Sequence, residues 1–221
     1  MKRICKATGC GLETSTPFSP LCRSHRARLR RHGDIEQKGI TKADLLPFIE
    51  RVDKRREKNP ESPLWEHLEA RWATIVRHAK AVVADFNSGR ALNKYEVEAA
   101  REALAISRDA TAREVVDAAL GMYLMQGLEP LRFRSDEAFW TQLVRRVRGI
   151  ASRSSGKTIN AKGTVRPLYR EMPPRTSLVL QGWLKEAFGA AGLRLVQLEE
   201  QEAEAEREER REYRKALAAL K

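Results

Sequence analysis

The sequence predicts a mainly α-helical protein: a small N-terminal zinc-binding module, then a helical bundle, a basic irregular arm and a long charged C-terminal helix. Three observations predict this fold class. All three cysteines lie close together near the N-terminus with a histidine. Most of the remaining chain repeats apolar residues at steps of three and four, the period of an amphipathic helix. That period stops between residues 150 and 176, which predicts an arm or wing.

The N-terminal module is predicted for residues 1–34. Its candidate zinc ligands follow the spacing C-x4-C-x11-C-x2-H and are Cys5, Cys10, Cys22 and His25. Because this stretch has few apolar residues, it cannot fold on its own core, whereas zinc binding by four ligands can supply the free energy of folding. Gly9 and Gly11 favour a tight turn around Cys10. We therefore expect one zinc ion per chain.

Two other interpretations of these residues stay open. The cysteines can be three free thiols beside an unrelated histidine, or His32 can replace one ligand. Disulfide pairing is disfavoured because three cysteines leave one unpaired, and no secretory signal is evident at the N-terminus. These features predict a reducing compartment, the cytoplasm of a bacterial host cell.

A family resemblance is carried by two runs, CKATGC at residues 5–10 and LCRSHRARLRRHGD at residues 21–34. Together they resemble the small zinc-binding segments, ending in a basic helix, of bacteriophage and mobile-element proteins. Some of those segments precede HNH endonuclease domains. The resemblance covers about residues 3–34. It implies zinc and nucleic acid rather than a particular reaction.

Charge predicts a polyanionic partner. The formal net charge is +12 and the isoelectric point about 10.0. Residues 1–58 carry fifteen Lys or Arg against seven Asp or Glu, and residues 132–175 carry eleven against three. Excess cations can also serve only solubility on a helical surface. No apolar run approaches the length of a membrane-spanning helix, so no membrane partner is expected.

The first basic concentration lies on the helix that the last two zinc ligands begin. Its candidate nucleic-acid contacts are Arg23, Arg26, Arg28, Arg30 and Arg31. These arginines project on several faces, which favours binding of phosphates over reading of base edges. The alternative is a basic helix that docks on an acidic protein.

Residues 35–62 are predicted to be a connector with a short helix, begun by Thr41 and Asp44 as a capping box. The helical core is predicted for residues 63–149. Its four helices are expected to start near Pro63, Asn93, Thr111 and Ser135. The second and third helices, joined by a short turn, also fit a helix-turn-helix with Thr111, Arg113 and Asp117 facing a DNA groove. Any antiparallel helical hairpin has the same pattern.

The second basic concentration covers the end of the fourth core helix and the arm at residues 150–176. Its candidate nucleic-acid contacts are Arg145, Arg146, Arg148, Arg153, Lys157, Lys162, Arg166, Tyr169 and Arg170. A hairpin with strands at residues 158–160 and 164–166 would form a basic wing; a flexible linker is the alternative. Gly156, Lys157 and Thr158 also fit a loose phosphate-binding loop, but the α/β context that this motif needs is missing.

Residues 177–221 are predicted to form C-terminal helices. The first returns to the core and closes at Gly189 or Gly192, and a charged helix follows to about residue 220. The second would be a solvated strut or an element that docks a protein partner.

Three functions compete. The first is a non-enzymatic, zinc-dependent nucleic-acid-binding protein of a bacteriophage or mobile element, with DNA favoured over RNA. The second is an adaptor that binds host machinery. The third, a nuclease, is disfavoured: HNH chemistry needs two histidines in a compact hairpin-and-helix unit, and beyond the module only His67 and His78 remain.

Overall fold

A computed structural model describes residues 3–151, 156–159, 163–168 and 171–219. Seven α-helices dominate these ranges and confirm the mainly α fold. In chain order they are α1 (Arg23–His32), α2 (Lys42–Lys58), α3 (Pro63–Asn87), α4 (Lys94–Asp109), α5 (Ala112–Leu128), α6 (Asp136–Arg148) and α7 (Pro174–Ala219). Two strands, β1 (Gly156–Ile159) and β2 (Val165–Leu168), lie between α6 and α7.

Local capping residues account for most helix starts. Thr41 with Asp44 and Thr111 with Glu114 form capping boxes, in which the hydroxyl accepts the third residue's N–H and the carboxylate accepts the cap's N–H. The Ser135 hydroxyl accepts the N–H of Ala138 in the same way. These contacts confirm the starts expected from the sequence.

Helix α5 is the centre of the bundle. Every residue from 115 to 125 is buried, and α2, α3, α6 and α7 pack around it. A helix that is apolar all round is a core helix. The helix-turn-helix interpretation is therefore wrong: Asp117 is only 5 % exposed and pairs with Arg56 at 2.7 Å, so it cannot face a groove.

Helix α2 joins the core instead of only linking two parts of the chain. Leu45, Phe48 and Val52 are buried in the main apolar cluster against α5. The guanidinium of Arg55 donates to Glu199 of α7 at 2.9 Å. Residues 35–62, expected as a connector, thus supply one wall of the bundle.

Helix α7 is a single helix, so the expected break at Gly189 or Gly192 is wrong. The missing side chain of Gly192 makes room for Tyr123 of α5, since a Cβ there would lie 2.3 Å from Tyr123 Cγ. These glycines therefore allow two helices to approach closely and do not end α7. Its 46 residues extend about 69 Å. Residues 204–216 are exposed beyond the core.

The strands form an antiparallel hairpin in which Gly156 pairs with Leu168 and Ile159 with Val165. The expected hairpin is therefore present, with each strand displaced by one or two residues from its expected position. Since residues 156–158 lie on a strand, no helix starts there to bind a nucleotide phosphate. Among the described helices, none is long and apolar enough to cross a membrane.

Candidate metal centre and adjoining basic surface

Residues 4–13 form a turn that brings the first two cysteines together. Ile4 pairs with Glu13 in an antiparallel bridge, and the N–H of Cys5 donates to the carbonyl of Leu12 at 2.9 Å. Gly9, before Cys10, has a φ of 73°, in the left-handed region that favours glycine. The expected turn at this position is confirmed.

Cys22 and His25 occupy the first turn of α1. Cys22 is the N-cap residue, with extended backbone, and its Sγ accepts the N–H of His25 at 3.5 Å. A separation of three residues places both side chains on one face of the helix. The helix start therefore aims these two ligands at the turn that carries the first two.

The four side chains have the geometry of a tetrahedral metal site. Nδ1 of His25 lies 3.4 Å from Sγ of Cys5 and 3.4 Å from Sγ of Cys22, and the sulfurs of Cys10 and Cys22 are 3.8 Å apart. A zinc tetrahedron with usual bond lengths has edges of about 3.8 Å between sulfurs and about 3.5 Å between sulfur and nitrogen. All four ligand atoms lie within 4.8 Å of one another. The donor set fits one metal ion.

The environment already favours one thiolate. Burial raises the pKa of Cys5, but the N–H groups of Cys22 and Ala7 and the His25 side chain outweigh it and lower that pKa to about 6. At Cys10 the Leu12 N–H lowers the pKa, but burial and the sulfurs of Cys22 and Cys5 prevail and raise it. A cation among these sulfurs would favour the thiolate at every cysteine.

The module has a separate and small apolar cluster. Its buried members are Cys5, Ala7, Leu21 and Cys22, with Cys10 and Ile35 packed alongside. Half of the buried members are candidate metal ligands. Burial of two further apolar side chains cannot offset the chain entropy of this segment, so metal binding would dominate the module's stability.

His32, the alternative ligand, lies at the other end of α1 and binds the helical core. Its Nδ1 is 3.1 Å from Nε2 of Gln142 on α6. Gly33, which ends α1 with a φ of 81°, packs so closely on α6 that a Cβ would lie 2.6 Å from the carbonyl oxygen of Glu137. Helix α1 is therefore anchored at its last turn as well as at its first.

The five arginines of α1 all have exposed side chains. Arg30 and Arg31 both pair with Glu171, which lies just before α7. Nη1 of Arg28 donates to the carbonyl of Ile35 at 3.4 Å. The remaining two members of the set, Arg23 and Arg26, point to solvent.

Helix α6 contributes a second group of cations beside this surface. Arg145 and Arg146 are half-buried, and within the described ranges their Nε atoms have no hydrogen-bond partner. Burial lowers the pKa of both guanidinium groups, with Arg31 and Arg148 adding to the effect at Arg145. Both remain charged, because arginine is protonated at any physiological pH. Arg148 donates to Glu102 at 2.9 Å.

The arm's candidates are only partly placed. Lys157 lies on β1 and Arg166 on β2. Arg153, Lys162, Tyr169 and Arg170 lie outside the described residues.

Two residues that bind α1 from other parts of the chain were not anticipated from the sequence. Glu171 carries the lone carboxylate between residues 138 and 185, and an isolated acid in a basic stretch is a signal of pairing. Gln142 lies on the apolar face of α6 and is fully buried. A polar residue within the apolar stripe of an amphipathic helix can indicate a buried, hydrogen-bonded side chain.

Comparisons of the chain with protein families, curated proteins and solved structures found no match. The function is therefore inferred from the site.

Proposed function

We propose that this chain is a non-enzymatic, zinc-dependent nucleic-acid-binding protein of a bacteriophage or other mobile element, acting in the bacterial cytoplasm with DNA favoured over RNA. One observation carries the proposal. Helix α1 presents five exposed arginines and is anchored at both ends, by Cys22 and His25 at its start and by His32 at its end.

Zinc is the metal that this donor set favours. Three thiolates with one imidazole form a closed tetrahedral site, and such sites in small modules are structural zinc sites. Its role here is to hold α1 against the turn formed by residues 4–13. The ion need not contact nucleic acid.

Phosphate groups are the expected contacts. The arginines of α1 project on several faces of the helix, which favours contacts with phosphates over the reading of base edges in one groove. Arg145 and Arg146 extend the positive surface onto α6. The hairpin of β1 and β2 follows α6 in the chain and carries Lys157 and Arg166.

The two histidines outside the module have structural contacts, which supports a binding role over a nuclease. Nε2 of His67 accepts from Nε of Arg71 at 3.1 Å. The ring of His78 packs edge-on against Trp183 at 5.2 Å.

The test is a titration of metal-loaded protein against labelled duplex DNA, single-stranded DNA and RNA over a range of salt. Each phosphate neutralised on duplex DNA contributes a slope of about −0.9 to log K against log salt. We expect the tightest binding on duplex DNA, with several phosphates neutralised. Binding to none of the three polymers would refute the proposal.

A triple variant tests whether the arginines of α1 form the DNA-binding surface. Replacing Arg23, Arg26 and Arg28 by Ala should weaken DNA binding by at least about tenfold at low salt. The slope of log K against log salt should become shallower by the amount that about two to three phosphates contribute. The matched control replaces Arg207, Arg210 and Arg211, three exposed arginines of α7, and removes the same charge far along the chain from α1. Equal losses in both variants would indicate a general charge effect.

A second candidate function, a protein-interaction adaptor that binds host machinery, is favoured by one feature. Beyond the core, α7 projects an exposed segment, residues 204–216, that includes Tyr213. Partner binding that persists at high salt and is lost when residues 204–221 are removed would favour the adaptor, because apolar interfaces depend weakly on salt.

A further inference from the structure

We propose that Arg30 and Arg31 form a binding site for one phosphate group, and that the Glu171 carboxylate occupies this site until a phosphate displaces it. The inference rests on the proposed function, because it names a phosphate subsite within the basic surface and the internal group that competes for it.

The contacts of Glu171 resemble those of a bound phosphate. Its Oε2 accepts from Nη2 of Arg30, and its Oε1 accepts from Nε of Arg31. One carboxylate thus bridges two neighbouring guanidinium groups of α1, each through a different oxygen. Arginine binds carboxylate and phosphate oxygens with the same fork of N–H donors, so a phosphate can take over both contacts.

Arg145 adds positive charge near this pair. It lies on the last turn of α6, against which the end of α1 packs through Gly33. The charges of Glu171 and Arg31 both act on the Arg145 guanidinium. Because Nε of Arg145 is buried and has no hydrogen-bond partner among the described residues, Arg145 contributes to the site through its charge.

The charges at this site do not balance. Two guanidinium groups bind one carboxylate. Although burial opposes the ionisation of Glu171, the contacts with Arg31 and Arg30 lower its pKa. A phosphate brings more acceptor oxygens and more negative charge than a carboxylate and can satisfy both arginines together. The Glu171 side chain is 30 % exposed, so release into water costs little.

The position of Glu171 in the chain makes it a competitor tied to the protein. It lies after β2 and just before Pro174, the first residue of α7, and is 140 residues from Arg31. Competition within one chain does not depend on protein concentration. Wild-type affinity is therefore lower than the basic surface alone would allow.

Glu171→Gln tests the inference, with Glu199→Gln as the matched control. Glu199 also bridges two arginines, Arg55 at 2.9 Å and Arg51 at 3.5 Å, and its replacement raises the net charge by the same amount. The binding of each variant to duplex DNA is measured at fixed salt, and thermal unfolding verifies that each variant is folded. We expect Glu171→Gln to bind at least about threefold tighter than wild type, from the loss of two exposed ion pairs. Glu199→Gln should change affinity less than about twofold.

The same substitution in a protein that lacks Arg31 tests whether the gain in affinity comes from this site. In an Arg31→Ala protein, Glu171→Gln should give a smaller gain, because one of the two freed guanidinium groups is then absent. Equal gains with Glu171→Gln and Glu199→Gln, or an undiminished gain without Arg31, would overturn the inference while DNA binding by wild type still supported the proposed function.

Binding of pyrophosphate alone distinguishes failure of the phosphate site from failure of the proposed function. Pyrophosphate should raise the midpoint temperature of thermal unfolding of Glu171→Gln more than that of Glu199→Gln. If no variant binds nucleic acid but pyrophosphate shows this difference, the phosphate site stands and the proposed function fails. If pyrophosphate shows no difference and DNA binding does not respond to Glu171, the phosphate site is refuted.

Discussion

Gln142 binds His32 in one tautomer. The Oε1 atom of Gln142 accepts the backbone N–H of Ile40 at 3.0 Å, so its amide nitrogen must face His32, whose Nδ1 lies at 3.1 Å. An amide N–H can donate only to an unprotonated Nδ1. The ring of His32 is therefore neutral, with its proton on Nε2, and one buried amide joins α1 and the start of α2 to α6.

Replacing Gln142 by Leu should lower the free energy of unfolding by about 2 kcal/mol, because the buried N–H of Ile40 loses its acceptor. Urea denaturation measures the change. The control is Gln181→Leu, whose side chain is only partly buried and donates to Ser177 at 3.4 Å. It should change stability by less than about 0.5 kcal/mol. Equal effects would show that Gln142 does not join these elements.

Lowering the pH should weaken the contact between His32 and Gln142. Burial, together with the charges of Arg145, Arg31 and Arg28, lowers the pKa of His32 below its usual value of 6.5, against a smaller opposing effect of Glu171. The unfolded chain then binds the proton more readily than the folded one. Stability from this group is present above pH 6.5 and is lost as pH falls from there through the folded-state pKa.

Comparison with His32→Asn isolates this contribution, since an Asn oxygen can accept from Gln142 and does not titrate. The free energy of unfolding of wild type should fall more steeply than that of the variant as pH drops from 7 towards 5. Parallel pH profiles would contradict the assignment to His32.

Cys22→Ser should abolish metal binding and unfold residues 3–34 while leaving the main thermal transition largely intact, because the module's apolar cluster is separate from that of the bundle. The measured metal content should fall from about one ion per chain to almost none. Ser24→Ala, at an exposed position on the same helix turn, should retain the metal. Loss of the whole fold in Cys22→Ser would show that the bundle depends on the module.

Gly192→Ala should destabilise the bundle by about 1–3 kcal/mol, because the new methyl group would collide with Tyr123 at the crossing of α5 and α7. Gly182→Ala is a matched control on the same helix, where an added Cβ meets nothing within 4 Å. It should stabilise α7 by about 0.5–1 kcal/mol through helix propensity. Thermal denaturation of both variants measures the difference, and destabilisation by both would argue against a specific crossing.

Features encoded within a few residues were predictable. The candidate metal ligands converge because Gly9 permits a turn and because Cys22 and His25 lie three residues apart at the start of one helix. Capping boxes at Thr41 and Thr111 begin α2 and α5 for the same reason, since each involves groups three residues apart. Apolar periodicity then sufficed for the helical fold class.

Relationships between distant segments were not predictable from these patterns. Gly192 reads as a helix end in isolation, yet Tyr123 fills its space and α7 continues. Asp117 resembled an exposed polar residue until packing placed it beside Arg56. Local sequence therefore determined the candidate metal site and the helices, whereas tertiary packing decided how Gln142 anchors α1 and which arginines Glu171 binds. The physical reason is separation: these partners lie 110 and about 140 residues apart, and only the folded chain brings them within hydrogen-bonding distance.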